Sequence, residues 1–92
     1  MIIATLRETR ENEFRVAISP DTCRSFVNRG IEVFIENNAG LNSSFSDKDY
    51  KNNGGKILSK NEIIEKADVL LSVCSLPEND DLVKFKKKII II

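Results

Sequence analysis

The residues best suited to chemistry gather near the amino terminus. Arg7, Arg10 and Arg15 lie between an apolar run, Ile2 to Leu6, and a helix start at Ser19-Pro20-Asp21. A charged connection that follows a strand and leads into a helix is where open parallel sheets bind ligands, beyond the carboxyl ends of their strands. Arg15 stands just ahead of that helix. Its guanidinium and the free amides of the first helical turn together suit a carboxylate or a phosphate. Glu8, Glu11 and Glu13 offer a plainer account, in which they neutralise the arginines in a solvated loop, and on the residues alone that account has the edge.

Other chemistry is harder to build. A nicotinamide dinucleotide wants glycines in the first strand-to-helix turn so that the backbone can approach the pyrophosphate, and none occurs between Leu6 and Ser19. Glu36, at the end of the second predicted strand, has the place of a ribose-binding acid, but without the glycine turn that role is not expected. Cys23 and Cys74 are the only cysteines and the chain has no histidine. Cys-His and Ser-His nucleophile pairs are therefore excluded within it, a zinc site would need unusual carboxylate ligands, and both thiols read as small buried apolar residues. No metal site and no catalytic residue is assigned. Lys84-Phe85-Lys86-Lys87-Lys88 could meet nucleic acid or anionic lipid, yet lysines at the end of a helix are accounted for by its carbonyl pole. Glu78, Asp80 and Asp81 suit the start of that same helix. A phosphorylation-switch domain also fails, because its acid pair should follow the first strand, where Arg7 stands, and its acceptor aspartate should end a central strand, whereas Leu58 leads to Ser59.

The elements that would position these residues alternate. After Ile2 to Leu6 and the Ser19-capped helix, with Cys23, Phe26 and Val27 on its buried face, Gly30 suits the left-handed closing position. Ile31 to Ile35 forms a second strand and Asn37-Asn38-Ala39-Gly40 a loop. Ser46 to Asp49 opens a short helix carrying Tyr50, and Gly54-Gly55 breaks it before the strand Lys56 to Leu58. Ser59-Lys60-Asn61-Glu62 is a capping-box signature for a third helix that buries Ile63, Ile64 and Ala67. Val69 to Cys74 is a nearly continuous apolar strand of the kind covered on both faces. A last helix with Leu82, Val83 and Phe85 precedes a fifth strand, Ile89 to Ile92. Strands alternating with helices predict an α/β fold, a Rossmann-like or flavodoxin-like three-layer sandwich with a mainly parallel sheet. Strand order is not readable. A finished domain seldom ends on its most apolar strand, so the architecture is expected to be incomplete and to continue past Ile92.

Composition sets the outer bounds. With 92 residues the chain is one small domain, and 41% hydrophobic with 30% charged residues is ordinary for a globular protein. Lysines and arginines balance aspartates and glutamates at a net charge of zero. Nothing in the overall field calls for nucleic acid or a membrane surface. The opening residues lack the basic start and the apolar length of a secretory signal, which leads to a cytoplasmic expectation.

An ordered series of short matches then points to a family. Arg7-Glu8-Thr9 and Asn12 through Pro20, followed by Gly30-Ile31-Glu32-Val33, Glu36 through Ala39-Gly40, Phe45-Ser46-Asp47 with Tyr50, Gly54-Gly55, and Ala67 through Leu71 to Pro77, resemble the opening domain of alanine dehydrogenases and of the nicotinamide nucleotide transhydrogenase α subunit. They cover nearly the whole chain. The resemblance implies that residues 1–92 are the amino-terminal domain, or a fragment of it, and that the dinucleotide-binding domain is absent from this chain. It also implies that Arg15 corresponds to the arginine that holds the substrate carboxylate in alanine dehydrogenases.

Within the family the transhydrogenase branch is favoured. The lysine that assists the oxo-acid in dehydrogenases is matched by Ser75, the nearby lysine common to both branches is matched by Val73, and Ser19-Pro20 resembles the transhydrogenase form. The implied activity is hydride transfer between NADH and NADP coupled to proton translocation. NAD(H) and NADP(H) would be cofactors of the complete enzyme, with none expected for this chain alone, which is expected to be inactive. Its partners would be the remaining transhydrogenase domains or subunits in a homo-oligomer, reaching the cytoplasmic face of the inner membrane only through partner subunits. An alanine dehydrogenase-type fragment and a non-catalytic module pairing through its exposed strand are the alternatives.

Overall fold

Three serines start three helices. The computed structural model describes residues 1–7, 15–73 and, for the backbone alone, 88–91. Ser19 caps α1 (Pro20–Asn28), its side chain accepting the Thr22 N–H, with Pro20 in the first turn. Ser46 caps α2 (Asp47–Asn52) through a reciprocal box with Asp49, and Ser59 caps α3 (Lys60–Lys66) by accepting the Glu62 N–H. At this third start the Glu62 carboxylate takes a bond from the Ser59 hydroxyl at 3.1 Å. Each cap meets amides that the first helical turn leaves without an internal acceptor. Gly30, at φ +83°, lets the chain turn back after α1, a conformation that costs other residues more.

Five strands, β1 (Ile2–Thr5), β2 (Glu32–Glu36), β3 (Lys56–Leu58), β4 (Val69–Ser72) and β5 (Lys88–Ile91), form one sheet in the order β3-β2-β1-β4-β5. All four pairings are parallel. This order decides between the two expected architectures, because it runs as in a Rossmann sheet and not as in a flavodoxin-like one. Two strands are offset by one residue from the sequence reading: β2 begins at Glu32 rather than Ile31, and β5 at Lys88 rather than Ile89. The last predicted helix, with Leu82, Val83 and Phe85, lies outside the described residues.

The side-chain alternation of the strands divides the core. Ile3, Val33 and Ile35 face Ile18, Cys23, Ala39 and Tyr50 on the α1 and α2 side, with Val69 and Leu71 packed against them. Ala4, Phe34 and Leu70 face Leu6, Ile63 and Ala67 on the α3 side, with Ile64 beside them. Helices on both faces explain why β4 reads as continuously apolar. At the amino edge of the sheet, Asp68 closes β1 onto β4: its carboxylate accepts the Ile2 N–H at 2.8 Å, and its own N–H donates to the Ile2 carbonyl at 2.9 Å.

Tyr50 is fully buried and its hydroxyl donates to the Ile18 carbonyl at 2.7 Å. Burial foremost, and then the negative charge that Cys23, Asp47 and Asp49 can carry, push its phenol up to about 12. The folded chain therefore holds this proton more tightly than the unfolded chain. That contribution to stability is complete below pH 10 and is lost as pH rises through about 12. Tyr50→Phe is expected to lower stability by about 1–2 kcal/mol at neutral pH, through the carbonyl left without its donor. In urea titrations across alkaline pH, wild type should lose stability through this window and the variant should lack that loss; parallel profiles would contradict the assignment.

Candidate functional site

The chain crosses the sheet in two directions. From β1 it winds outward through β2 to β3, then returns to lay β4 on the other side of β1. The reversal falls between β1 and β4, and the crevice beyond the carboxyl ends of such a pair is where open α/β sheets take their ligands. Leu6 and Arg7 leave β1 at this crevice, and Ser72 and Val73 end β4 there. Its floor is tied by Thr5, a buried hydroxyl that donates to the Leu71 carbonyl of the neighbouring strand at 3.0 Å.

Glu36 works on the next strand. Its carboxylate accepts the Arg7 N–H at 2.7 Å, so the last residue of β2 fixes the direction in which the chain leaves β1. Sequence reasoning offers Glu36 only as a ribose ligand and misses this role. The signal was weak: the two residues are 29 apart and meet only because β1 and β2 are parallel neighbours in register. The loop after β2 is fixed in a similar way. Asn38 sits at φ +65° and donates its N–H to the Asp47 carboxylate at 2.9 Å, which joins the loop to the first turn of α2.

Arg15 is exposed and lies four residues before the Ser19 cap, on the chain returning from the crevice to α1. Val16 packs against the α1 side of the core and Ile18 is fully buried, so the segment that carries the guanidinium is held close behind it. Arg7 is exposed at the exit from β1. Arg10, Glu8, Glu11, Glu13, Cys74, Ser75 and Lys84 to Lys87 lie outside the described residues. Cys23 is free and buried on the inner face of α1, and burial pushes its thiol up, which suits a packing residue better than a nucleophile. Among the described residues no group of three or more His, Cys, Asp or Glu side chains could hold a metal ion. No described helix is long and apolar enough to cross a membrane.

The family model for the amino-terminal domain of alanine dehydrogenase/PNT matches residues 4–92. The chain belongs to this family. Alanine dehydrogenase 1 of Staphylococcus aureus is 35% identical over 91 residues, which are 99% of this chain and 24% of that protein. Among solved structures, the transhydrogenase from Sinorhizobium meliloti aligns over 100% of this chain and 28% of its own, at 26% identity and a TM-score of 0.86. An L-alanine dehydrogenase aligns over 84% of this chain and 22% of its own, at 32% identity and a TM-score of 0.74. This alanine dehydrogenase/PNT amino-terminal domain thus spans about a quarter of the length of the relatives it matches. The family is one of oxidoreductases, and its model covers all but the first three residues of this chain.

The Glu36 contact can be tested in the domain itself. Glu36→Ala should speed amide hydrogen exchange at Arg7 while Thr5 and Ile35, within the β1–β2 ladder, keep their protection. The global stability loss should stay near 1 kcal/mol, because the freed amide can turn to water. Unchanged exchange at Arg7 would contradict the role given to Glu36.

Proposed function

We propose that this chain is the amino-terminal portion of an NAD(P) transhydrogenase α subunit, an enzyme that moves hydride between NADH and NADP and couples the transfer to proton translocation. The observation that carries this reading is the structural likeness to the Sinorhizobium meliloti transhydrogenase, which extends over the whole chain at a TM-score of 0.86, against 84% and 0.74 for the L-alanine dehydrogenase. Ser75 and Val73 support the same branch, because a hydroxyl or an alkyl group cannot offer an oxo-acid the positive charge of a lysine.

In this reading NAD(H) and NADP(H) belong to the complete enzyme, and the dinucleotide sits in a second domain. The glycine-free connection after β1 favours that division. Arg15 is the anion-binding residue of this domain, supplying a guanidinium beside the amides at the start of α1. Its partners are the remaining transhydrogenase domains or subunits in a homo-oligomer, with the membrane reached only through partner subunits.

A second reading, an alanine dehydrogenase-type fragment, is favoured by the higher identity to the Staphylococcus aureus enzyme, 35% against 26% for the transhydrogenase. Chimeras separate the two. This chain is exchanged for the matching segment of the Sinorhizobium meliloti transhydrogenase and, separately, of the Staphylococcus aureus alanine dehydrogenase. The proposal expects hydride transfer from NADH to an NADP analogue in the first chimera and loss of alanine oxidation in the second. Activity in the second alone would establish the alternative, and activity in neither would leave a non-catalytic module. Should the alanine dehydrogenase chimera be the active one, Arg15→Ala should raise its KM for alanine about tenfold or more, the effect of losing a charge-assisted contact of about 1.5–3 kcal/mol.

A further inference from the structure

The turn between α2 and β3 carries a reactive pair, Asn53-Gly54. In such a pair the backbone nitrogen of the glycine can attack the side-chain amide carbon of the asparagine. A new N–C bond closes a five-membered succinimide, the bond to the amide nitrogen breaks, and ammonia leaves with the proton from the glycine nitrogen. Water then opens the ring at either carbonyl, giving aspartate or isoaspartate. A glycine favours the step because no side chain shields its nitrogen.

The two groups that this reaction must free, the amide nitrogen and the glycine N–H, are engaged in the fold, and the amide oxygen is held so that the side chain cannot turn toward Gly54. The Asn53 amide nitrogen donates to the Asp49 carbonyl at 2.8 Å. The Asn53 amide oxygen accepts from Arg24 Nε at 2.8 Å. The Gly54 N–H donates to the Lys51 carbonyl at 3.1 Å. Asn53 is also the C-cap of α2 at φ −104° and ψ 16°, a backbone setting fixed by its own N–H donating to the Tyr50 carbonyl. We infer that the fold protects Asn53-Gly54 from spontaneous deamidation by holding the amide nitrogen and the Gly54 N–H in hydrogen bonds, with Arg24 on α1 pinning the side chain away from Gly54 from outside the turn.

The consequence of reaction differs between products. Aspartate would keep an oxygen for Arg24. Isoaspartate lengthens the main chain beside Gly55, whose N–H donates to the Tyr50 carbonyl at 2.9 Å, and beside the Asn53 carbonyl, which takes the Cys23 thiol at 3.9 Å. That insertion would loosen the turn against the core residues Cys23 and Tyr50. Asn53 is therefore a modification site that opens when α2 and β3 separate, and the isoaspartate product would hinder their return.

The test uses the chain itself at mildly alkaline pH below the tyrosine range. Peptide mass spectrometry reads conversion of Asn53 with time in native buffer and in urea, for wild type, Arg24→Gln and Arg24→Lys. Native wild type should react about tenfold or more slowly than the urea-unfolded chain, the ratio set by the free energy of opening the turn. Arg24→Gln should react faster than wild type while circular dichroism remains native, and Arg24→Lys, which can still donate to the amide oxygen, should recover part of the protection. Equal rates for wild type in native buffer and in urea would overturn the protection. A folded Arg24→Gln with the wild-type rate would overturn the part given to Arg24. Should that variant unfold, the slower reaction of a folded Arg24→Lys relative to urea, against the rate of native wild type, decides the same point.

Discussion

The bond from the Tyr50 hydroxyl to the Ile18 carbonyl joins the two connections that bound the candidate site. Ile18 ends the segment that returns from β1, and Tyr50 belongs to the helix reached from β2, so one buried contact fixes both. The rest of the neighbourhood is shaped around the ring. Phe45 meets it edge-on, with centroids 6.4 Å apart. A Cβ at Gly40 would come within 2.8 Å of the ring and its hydroxyl and 2.9 Å of the Phe45 Cβ, closer than atoms pack, so a residue without one lets the β2 loop lie against the phenol. A buried hydroxyl must find an acceptor, and meeting that demand with a loop carbonyl turns a packing residue into a brace.

From that brace the arrangement of the crevice follows. The described helices cover the sheet with α1 and α2 on one face and α3 on the other, and the strand order reverses between β1 and β4, the place where such sheets take ligands beyond the strand ends. Glu36 aims the exit from β1, Thr5 ties β1 to β4, and the Ser19 cap starts the helix that Arg15 precedes. In nucleotide-binding Rossmann domains the same place holds a glycine turn that admits pyrophosphate to the backbone. Here it holds a long charged connection carrying arginines, which suits recognition of a small anion by side chains. Family membership and strand order agree on the fold, and the proposed anion site rests on arginines standing where a dinucleotide domain would carry its glycine turn.

How much of this could be read in advance depended on the range of the interaction. The helix starts at Ser19, Ser46 and Ser59 and the strand Lys56–Leu58 were all legible, because caps and breakers act over three or four residues. The burial of Cys23 and Ile63 follows from helical spacing in the same way, whereas that of Tyr50 does not. Asp68 is different. It bonds to Ile2 across 66 residues, and nothing local distinguishes it from a solvated acid. Glu36 and Arg7 likewise meet only through the register of β1 on β2, and the strand order that makes them neighbours leaves no periodic trace in the chain. The short 3₁₀ turn at Leu41–Ser43 also went unread, since it ends on Ser44 at φ +67° rather than on the glycine that usually announces such a stop. The anion role of Arg15 was suggested by its place ahead of a helix and drawn further by resemblance; the structure supplies its position, exposed and close behind a buried anchor.

The claim most central to this account is that the crevice between β1 and β4 serves a small anion while the dinucleotide belongs to another domain. Titrating the isotopically labelled chain with NADH, and following the backbone amide resonances of Leu6, Arg7, Arg15 to Ser19 and Val73, addresses it directly. The account predicts no saturable shift of these resonances. Saturable, stoichiometric shifts confined to them would place the nucleotide in this crevice and contradict the account.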